Sequence, residues 1–217
     1  FCAKAAGIGF DKVTFHLLPS GGAFGRRLPQ QWNYLTYAVK TAMACRGTPV
    51  KLIFTREQDM QHDYYRPNVT SRFRASVDED GMPIAWVNDY TTGDSANPEA
   101  HIVYGVPHQA YGTAKVVTSV PTGAWRSVES SWHGFFIESF IDELAHEAGK
   151  DPLEFRLTLT ERPDSLSVLN KLKDVSNWGA KLPQGRGRGI SLADNHGAIG
   201  GHVAEVTVDA QGNVKVD

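Results

Sequence analysis

WHGFFIESFIDELAHEAGKDPLEFR, residues Trp132 to Arg156, carries the strongest periodicity in the chain. Phe136, Phe140, Leu144 and Ala148 recur at every fourth position, with Ile137 and Ile141 beside them. That is one apolar stripe along an α-helix, and Gly149 closes it. Asp151-Pro152-Leu153-Glu154 then reads as an N-cap, a proline at the first helical position and an acid in the first turn. The spacing predicts a second helix to about Leu159 and a third over Ser165 to Val175. Glu138, Asp142 and Glu143 read as a solvated face with local pairs.

Outward from these helices, the remaining elements are short strands. Val69 to Val77 alternates, Glu79-Asp80-Gly81 turns, and Pro83 to Tyr90 answers it, which predicts a hairpin. Gly185 to Asp194, His202 to Val208 and Val214 onward read as an antiparallel set. Thr91 to Gly112 has no period and reads as a long loop, and Ala114 to Val120 as a strand. Near the other end, Lys12 to Leu18 alternates as a strand does, and a glycine loop follows it. Gln31 to Cys45 has helical spacing, Val50 to Phe54 is a short apolar run read as a strand, and Arg56 to Met60 is a helical turn. This predicts a strand, glycine-loop, helix, strand part over about residues 1–55. Hairpins, the main helix and C-terminal strands fill about 56–217. Strands and helices alternate without a strict βαβ repeat, so the expected fold class is α+β, with mixed and antiparallel sheet segments and packed helices.

The totals narrow the function classes. The chain has 217 residues and a net charge of −2, so no global charge favours nucleic acid as a partner. No apolar run reaches the roughly 20 residues of a membrane helix. Cys2 and Cys45 make no metal-ligand spacing, and the eight histidines show no H-E-x-x-H pattern. No nucleophile, base and orienting residue can be assembled from spacing. The chain opens inside an apolar run (FCAKAAGIG) and closes as a strand begins (NVKVD), so it reads as an internal piece of a longer polypeptide.

Two loops carry the chemistry. SGGAFGRR, Ser20 to Arg27, puts three glycines within five residues and two arginines after them. Glycine backbone admits a large ligand, its N–H groups serve as donors, and a helix start adds dipole to the same end. Arginine matches phosphate oxygens in a fork. The glycine chemistry alone equally suits an anion loop and a tight structural turn. The second loop, PTGAWRSVESS from Pro121 to Ser131, is rich in small residues and runs into the main helix. It suits part of a phosphorylated ligand near Arg126. It equally suits a plain helix start, with Ser130 or Ser131 as cap and Trp125 in the core. Gly185 to Gly189 (GRGRG) is read as a turn rather than an RNA-binding tract.

Taken in order, GGAFGRR, TREQDMQHDYYRP (Thr55 to Pro67), GAWRSVESSWHGFFIESFIDELAHEAGKDPLEFR (Gly123 to Arg156) and GRGRGISLADNHG resemble one family across nearly the whole chain. It is the molybdenum-binding large subunit of the xanthine dehydrogenase and aldehyde oxidase family. Within it, the chain is similar to the isoquinoline 1-oxidoreductase beta subunit and related bacterial aldehyde dehydrogenases. The resemblance implies a fragment of the molybdopterin-binding large-subunit fold. It implies hydroxylation of an aldehyde or N-heterocycle with water as oxygen source. The implied cofactor is molybdenum on a molybdopterin cytosine dinucleotide, with no protein ligand to the metal. The implied partners are a small subunit with 2Fe–2S clusters, the remainder of the large subunit and a cytochrome as electron acceptor. Cytoplasm and periplasm are both open.

By motif match, the resemblance places Gly21, Gly22, Ala23, Phe24, Gly25 and Arg26 beside the cofactor on one side. Gly123, Ala124, Trp125 and Arg126 lie beside it on the other. Ala23 stands where many members have glycine. The family's base glutamate has no match here, so the 217 residues alone are expected to be inactive and to self-associate through exposed apolar surface. Two other readings stay open at this level: a non-catalytic assembly domain, and a nucleotide-binding module using Ser20 to Arg27.

Overall fold

The computed structural model describes residues 1–28, 32–93 and 97–217. The first residue of the expected Gln31 helix and part of the expected Thr91 to Gly112 loop lie outside them. The chain divides into two compact units, one of residues 1–67 with 117–128, the other of residues 68–116 with 129–217.

The larger unit holds the core. β1 (Ser71–Val77) and β2 (Pro83–Thr92) form the expected antiparallel hairpin, with Phe73 opposite Asn88 and Ala75 opposite Trp86. The Asp78 carboxylate fastens its turn by accepting from the Asp80 and Met82 N–H groups. β3 (His108–Lys115) joins β2 in parallel, with His108 opposite Ala85. The strand expected at Ala114 to Val120 therefore starts at His108, inside the stretch read as loop, and ends at Lys115. The reason is that, among the described residues, β3 pairs on one edge only and is largely exposed, so its sequence shows no apolar alternation.

The three helices stand where the periodicity puts them: α4 (Ser130–Glu147), α5 (Pro152–Leu159) and α6 (Pro163–Val175). The Asp151 side chain accepts from the Leu153 and Glu154 N–H groups, and Pro152 occupies the first helical position. The C-terminal sheet is β4 (Arg186–Asn195), β5 (Ala198–Val208) and β6 (Val214–Val216), antiparallel throughout. Trp86, Ile141, Leu153, Phe155, Leu169 and Leu192 from the hairpin, the helices and β4 make one buried cluster.

One expectation about α4 is corrected. Glu138 is not on a solvated face. It is buried, and its carboxylate accepts from Arg156 Nε at 3.0 Å, Tyr104 OH at 2.7 Å and the Leu192 N–H at 2.7 Å. Arg156 is fully buried and also reaches Asp142 at 2.6 Å and the Glu138 and Pro152 carbonyls. Burial raises the Glu138 pKa, with Arg156 working against that rise, and burial raises Tyr104 well above its usual range. This network ties α4, α5, β4 and the Tyr104 loop to one buried carboxylate.

The smaller unit is built differently. α1 (Cys2–Ala6) packs on α2 (Asn33–Ala44), with Phe1 edge-on to Trp32, and α3 (Arg56–His62) follows. None of these helices carries a buried residue. Lys12 to Leu18 and Val50 to Phe54, expected as strands, form no ladder among the described residues. Alternation favours a strand only where a neighbouring edge accepts its hydrogen bonds, and neither segment has such an edge here. Phe15, Leu17, Leu18 and Ile53 are each at least 60% exposed.

Candidate functional site

The smaller unit places the two loops against each other. A Cβ on Gly25 would lie 2.6 Å from the Ala124 carbonyl carbon and 2.7 Å from Trp125 Cα, so only glycine admits this approach. Gly25 also takes φ +90°. From the second loop, the Arg126 guanidinium lies 6.0 Å from the Phe24 ring centroid.

The segment after α3 holds both loops. Thr55 and Gln58 make a reciprocal capping box at the start of α3. The chain then leaves the helix at Asp63. Arg26 Nε meets Asp63 at 2.5 Å, and the Arg26 guanidinium stacks 5.0 Å over Tyr64. The Tyr64 carbonyl accepts from Trp125 Nε1 at 3.0 Å. Tyr65 bridges in parallel to Thr122, its N–H donating to Pro121 and its carbonyl accepting from Gly123. Arg66 donates from its two terminal nitrogens to the Val128 and Arg126 carbonyls, each at 3.2 Å, and stacks 5.6 Å over Trp125. Asp63 to Arg66 thus grips the glycine loop at one end and the GAWRS loop at the other. The sequence marked this segment only as part of a family pattern. The D-Y-Y-R run directly after a short helix was the available signal.

Both loops carry backbone strain. Phe24 takes φ 49°, Ser127 φ 66° and Val128 φ 36°, all in a region that side chains, β-branched ones above all, rarely adopt. Such conformations persist where the surroundings over-determine them.

The residues expected at the site behave as follows. Nothing lies within 4 Å of a Cβ built on Gly21, and the nearest atoms to one on Gly22 belong to the Phe24 ring. The Gly22, Ala23 and Phe24 N–H groups have no acceptor among the described residues. Phe24 is 60% and Trp125 45% exposed, so Trp125 does not fill a core. Arg126 makes no ion pair among the described residues, whereas Arg26 is committed to Asp63. The serine-cap reading also fails: α4 starts after Glu129, with Ser130 and Ser131 already in its first turn. Nor does the glycine loop cap a helix. It closes on its own turn, with Arg26 N–H donating to Ala23, while α2 begins at Asn33. Its contact with the start of α2 runs through side chains instead, with Arg26 donating to Asn33 Oδ1 at 3.4 Å.

What remains is an exposed face with backbone donors, two aromatic side chains and one guanidinium. It suits a large anionic group with a flat ring system, held by donors rather than by metal ligands. Among the described residues no group of three or more His, Cys, Asp and Glu could hold a metal, and no helix is long and apolar enough to cross a membrane.

Residues 1–158 match the molybdopterin cofactor-binding domain, and the chain belongs to that family. It is 30% identical to the membrane-bound aldehyde dehydrogenase [pyrroloquinoline-quinone] of Gluconacetobacter polyoxogenes, covering 87% of this chain and 29% of that protein. It is also 30% identical to the isoquinoline 1-oxidoreductase subunit beta of Brevundimonas diminuta, over 89% of this chain and 27% of the relative. Among solved structures, quinoline 2-oxidoreductase from Pseudomonas putida 86 superposes with a TM-score of 0.65 at 22% identity, over 80% of this chain and 27% of that one. The aldehyde oxidoreductase of Desulfovibrio gigas gives 0.64 at 19% identity, over 90% and 25%. These two likenesses establish the α+β fold of the family. The chain spans less than a third of the length of these relatives.

Proposed function

We propose that this chain supplies two walls of a molybdopterin cradle in an oxidoreductase that hydroxylates aldehydes or N-heterocycles. The observation that carries the reading is the contact between Gly25 and the Ala124–Trp125 backbone, which joins the two loops into one exposed face. A tight turn with no ligand would not need two glycine-bearing loops pressed together while the Gly22, Ala23 and Phe24 N–H groups find no acceptor among the described residues.

In this reading the Gly22, Ala23 and Phe24 N–H groups donate to the cofactor, and Gly21 leaves room for it. Phe24 and Trp125 shield it from water, and Arg126 supplies a positive charge on the side of Gly123 and Ala124. Arg26 acts indirectly, by fixing the glycine loop to Asp63. When bound, the group supplies the redox chemistry, with molybdenum on a molybdopterin cytosine dinucleotide, and the protein orients and shields it. Water as the oxygen source, a small subunit with 2Fe–2S clusters, a cytochrome acceptor and a base glutamate outside this chain belong to the same proposal. So does the inactivity of the 217 residues alone.

The test uses the full-length protein purified with its partners. Acid release should yield an oxidised pterin and CMP, and turnover of an aldehyde or quinoline-type panel in ¹⁸O-water should place ¹⁸O in the product. A released quinone in place of a pterin, or product oxygen drawn from O₂, would overturn the reading.

A further inference from the structure

The Arg66 guanidinium spans the carbonyls of Arg126 and Val128, which flank the strained Ser127–Val128 pair. The Val128 N–H closes this turn on the Trp125 carbonyl at 2.7 Å, but that one bond must hold two successive residues at positive φ, and Val128 is β-branched. Among the bonds around this pair, the Arg66 fork engages the carbonyls on both of its sides. The same guanidinium lies over Trp125, so one side chain restrains the loop at Trp125, Arg126 and Val128. A planar fork loses less freedom per hydrogen bond than a flexible ammonium does, which suits a clamp of this kind.

We propose that Arg66 is a positioning residue: it clamps the strained turn after Arg126 and so holds Trp125 and Arg126 facing the glycine loop. Its bearing on a cofactor rests on the reading given above, and the clamp itself does not. The chemistry that calls for such a clamp is a large anion whose donors sit on two separate loops. Each loop must keep its place before the ligand arrives, or ordering it is charged against binding. Arg66 does not touch that ligand in this account; it acts through the two carbonyls.

Limited trypsinolysis reads the clamp directly. The Arg126–Ser127 bond lies inside the turn, while the Arg66–Pro67 bond resists trypsin, so replacing Arg66 removes no cut. Cleavage after Lys40, within α2, reports general loosening of the same unit. In Arg66→Met, cleavage after Arg126 should accelerate about tenfold or more over cleavage after Lys40, because cleavage tracks the population of the opened loop. Arg66→Lys, with one ammonium reaching one carbonyl at a time, should fall between. An unchanged rate after Arg126 in Arg66→Met, or one raised no more than the rate after Lys40, overturns the clamp.

The second arm measures molybdenum and pterin per chain in the full-length protein. Arg66→Met should retain several-fold less than wild type, with Arg66→Lys between. Equal retention despite an opened loop would overturn the role of Arg66 in placing the site. A wild-type protein holding no molybdenum would instead refute the cofactor reading, leaving the clamp to the proteolysis result.

Discussion

Replacing Gly25 by alanine strikes the contact on which the site depends. At φ +90° an L side chain costs about 1–2 kcal/mol relative to glycine. The new Cβ would also lie 2.6 Å from the Ala124 carbonyl carbon and 2.7 Å from Trp125 Cα, backbone atoms that cannot rotate away. Overpacking of this kind costs about 1–3 kcal/mol. Together, about 2–5 kcal/mol falls on the contact between the two loops, and none on the Trp86 core. At about 1.4 kcal/mol per tenfold, the population with the loops apart should rise about thirty- to several-thousand-fold. Hydrogen exchange on the 217-residue chain reads this at the Tyr65 and Gly123 amides, which donate to Pro121 and Tyr65 in the closed arrangement. Gly21→Ala is the matched control, since nothing lies within 4 Å of its Cβ. Exchange at Tyr65 and Gly123 in Gly25→Ala that matches Gly21→Ala would refute the reasoning.

Three further outcomes follow from the larger unit. Arg156→Met leaves Glu138 buried without its cation and should cost about 3–5 kcal/mol. Burial already holds the Glu138 pKa above 4.5; losing Arg156 pushes it higher. The folded state then binds that proton more tightly than the unfolded one, so thermal melts should show a larger loss at pH 8 than at pH 5, and the reverse order would contradict this. His133 is buried, with its pKa lowered to about 4 from 6.5. Its contribution is complete above pH 6.5 and is lost as pH falls towards 4, by about 3 kcal/mol. The difference between wild-type and His133→Leu unfolding curves should show that slope, and parallel curves would count against it. Asp151→Ala removes the cap of α5 and the partner of Trp178 Nε1, so urea unfolding should report a loss of about 1–2 kcal/mol; a loss below about 0.3 kcal/mol would mean the cap is not formed.

Local chemistry made part of this fold legible. The stripe of α4, the Asp151-Pro152 start of α5, the hairpin turned at Asp80-Gly81 and the antiparallel C-terminal strands all follow from neighbours a few residues apart. What the sequence hid is non-local. β3 could not be found because its partner β2 gives it parallel register across a long connection. Glu138 resembled a surface acid until Arg156, Tyr104 and Leu192 closed around it. The segments Lys12 to Leu18 and Val50 to Phe54 have strand-like patterns but no edge to pair with in the described residues. At the candidate site the glycine and GAWRS loops were visible from composition and motif. Their mutual contact and the strut from Asp63 to Arg66 were not, since the strut joins residues some sixty positions apart and the contact residues about a hundred apart.

The most direct test of the central claim is elemental analysis for molybdenum in the full-length protein, purified with its partners. About one molybdenum per chain is expected of a resident cofactor held by these loops. A well-folded complex without molybdenum would contradict it and leave the paired loops as an assembly surface.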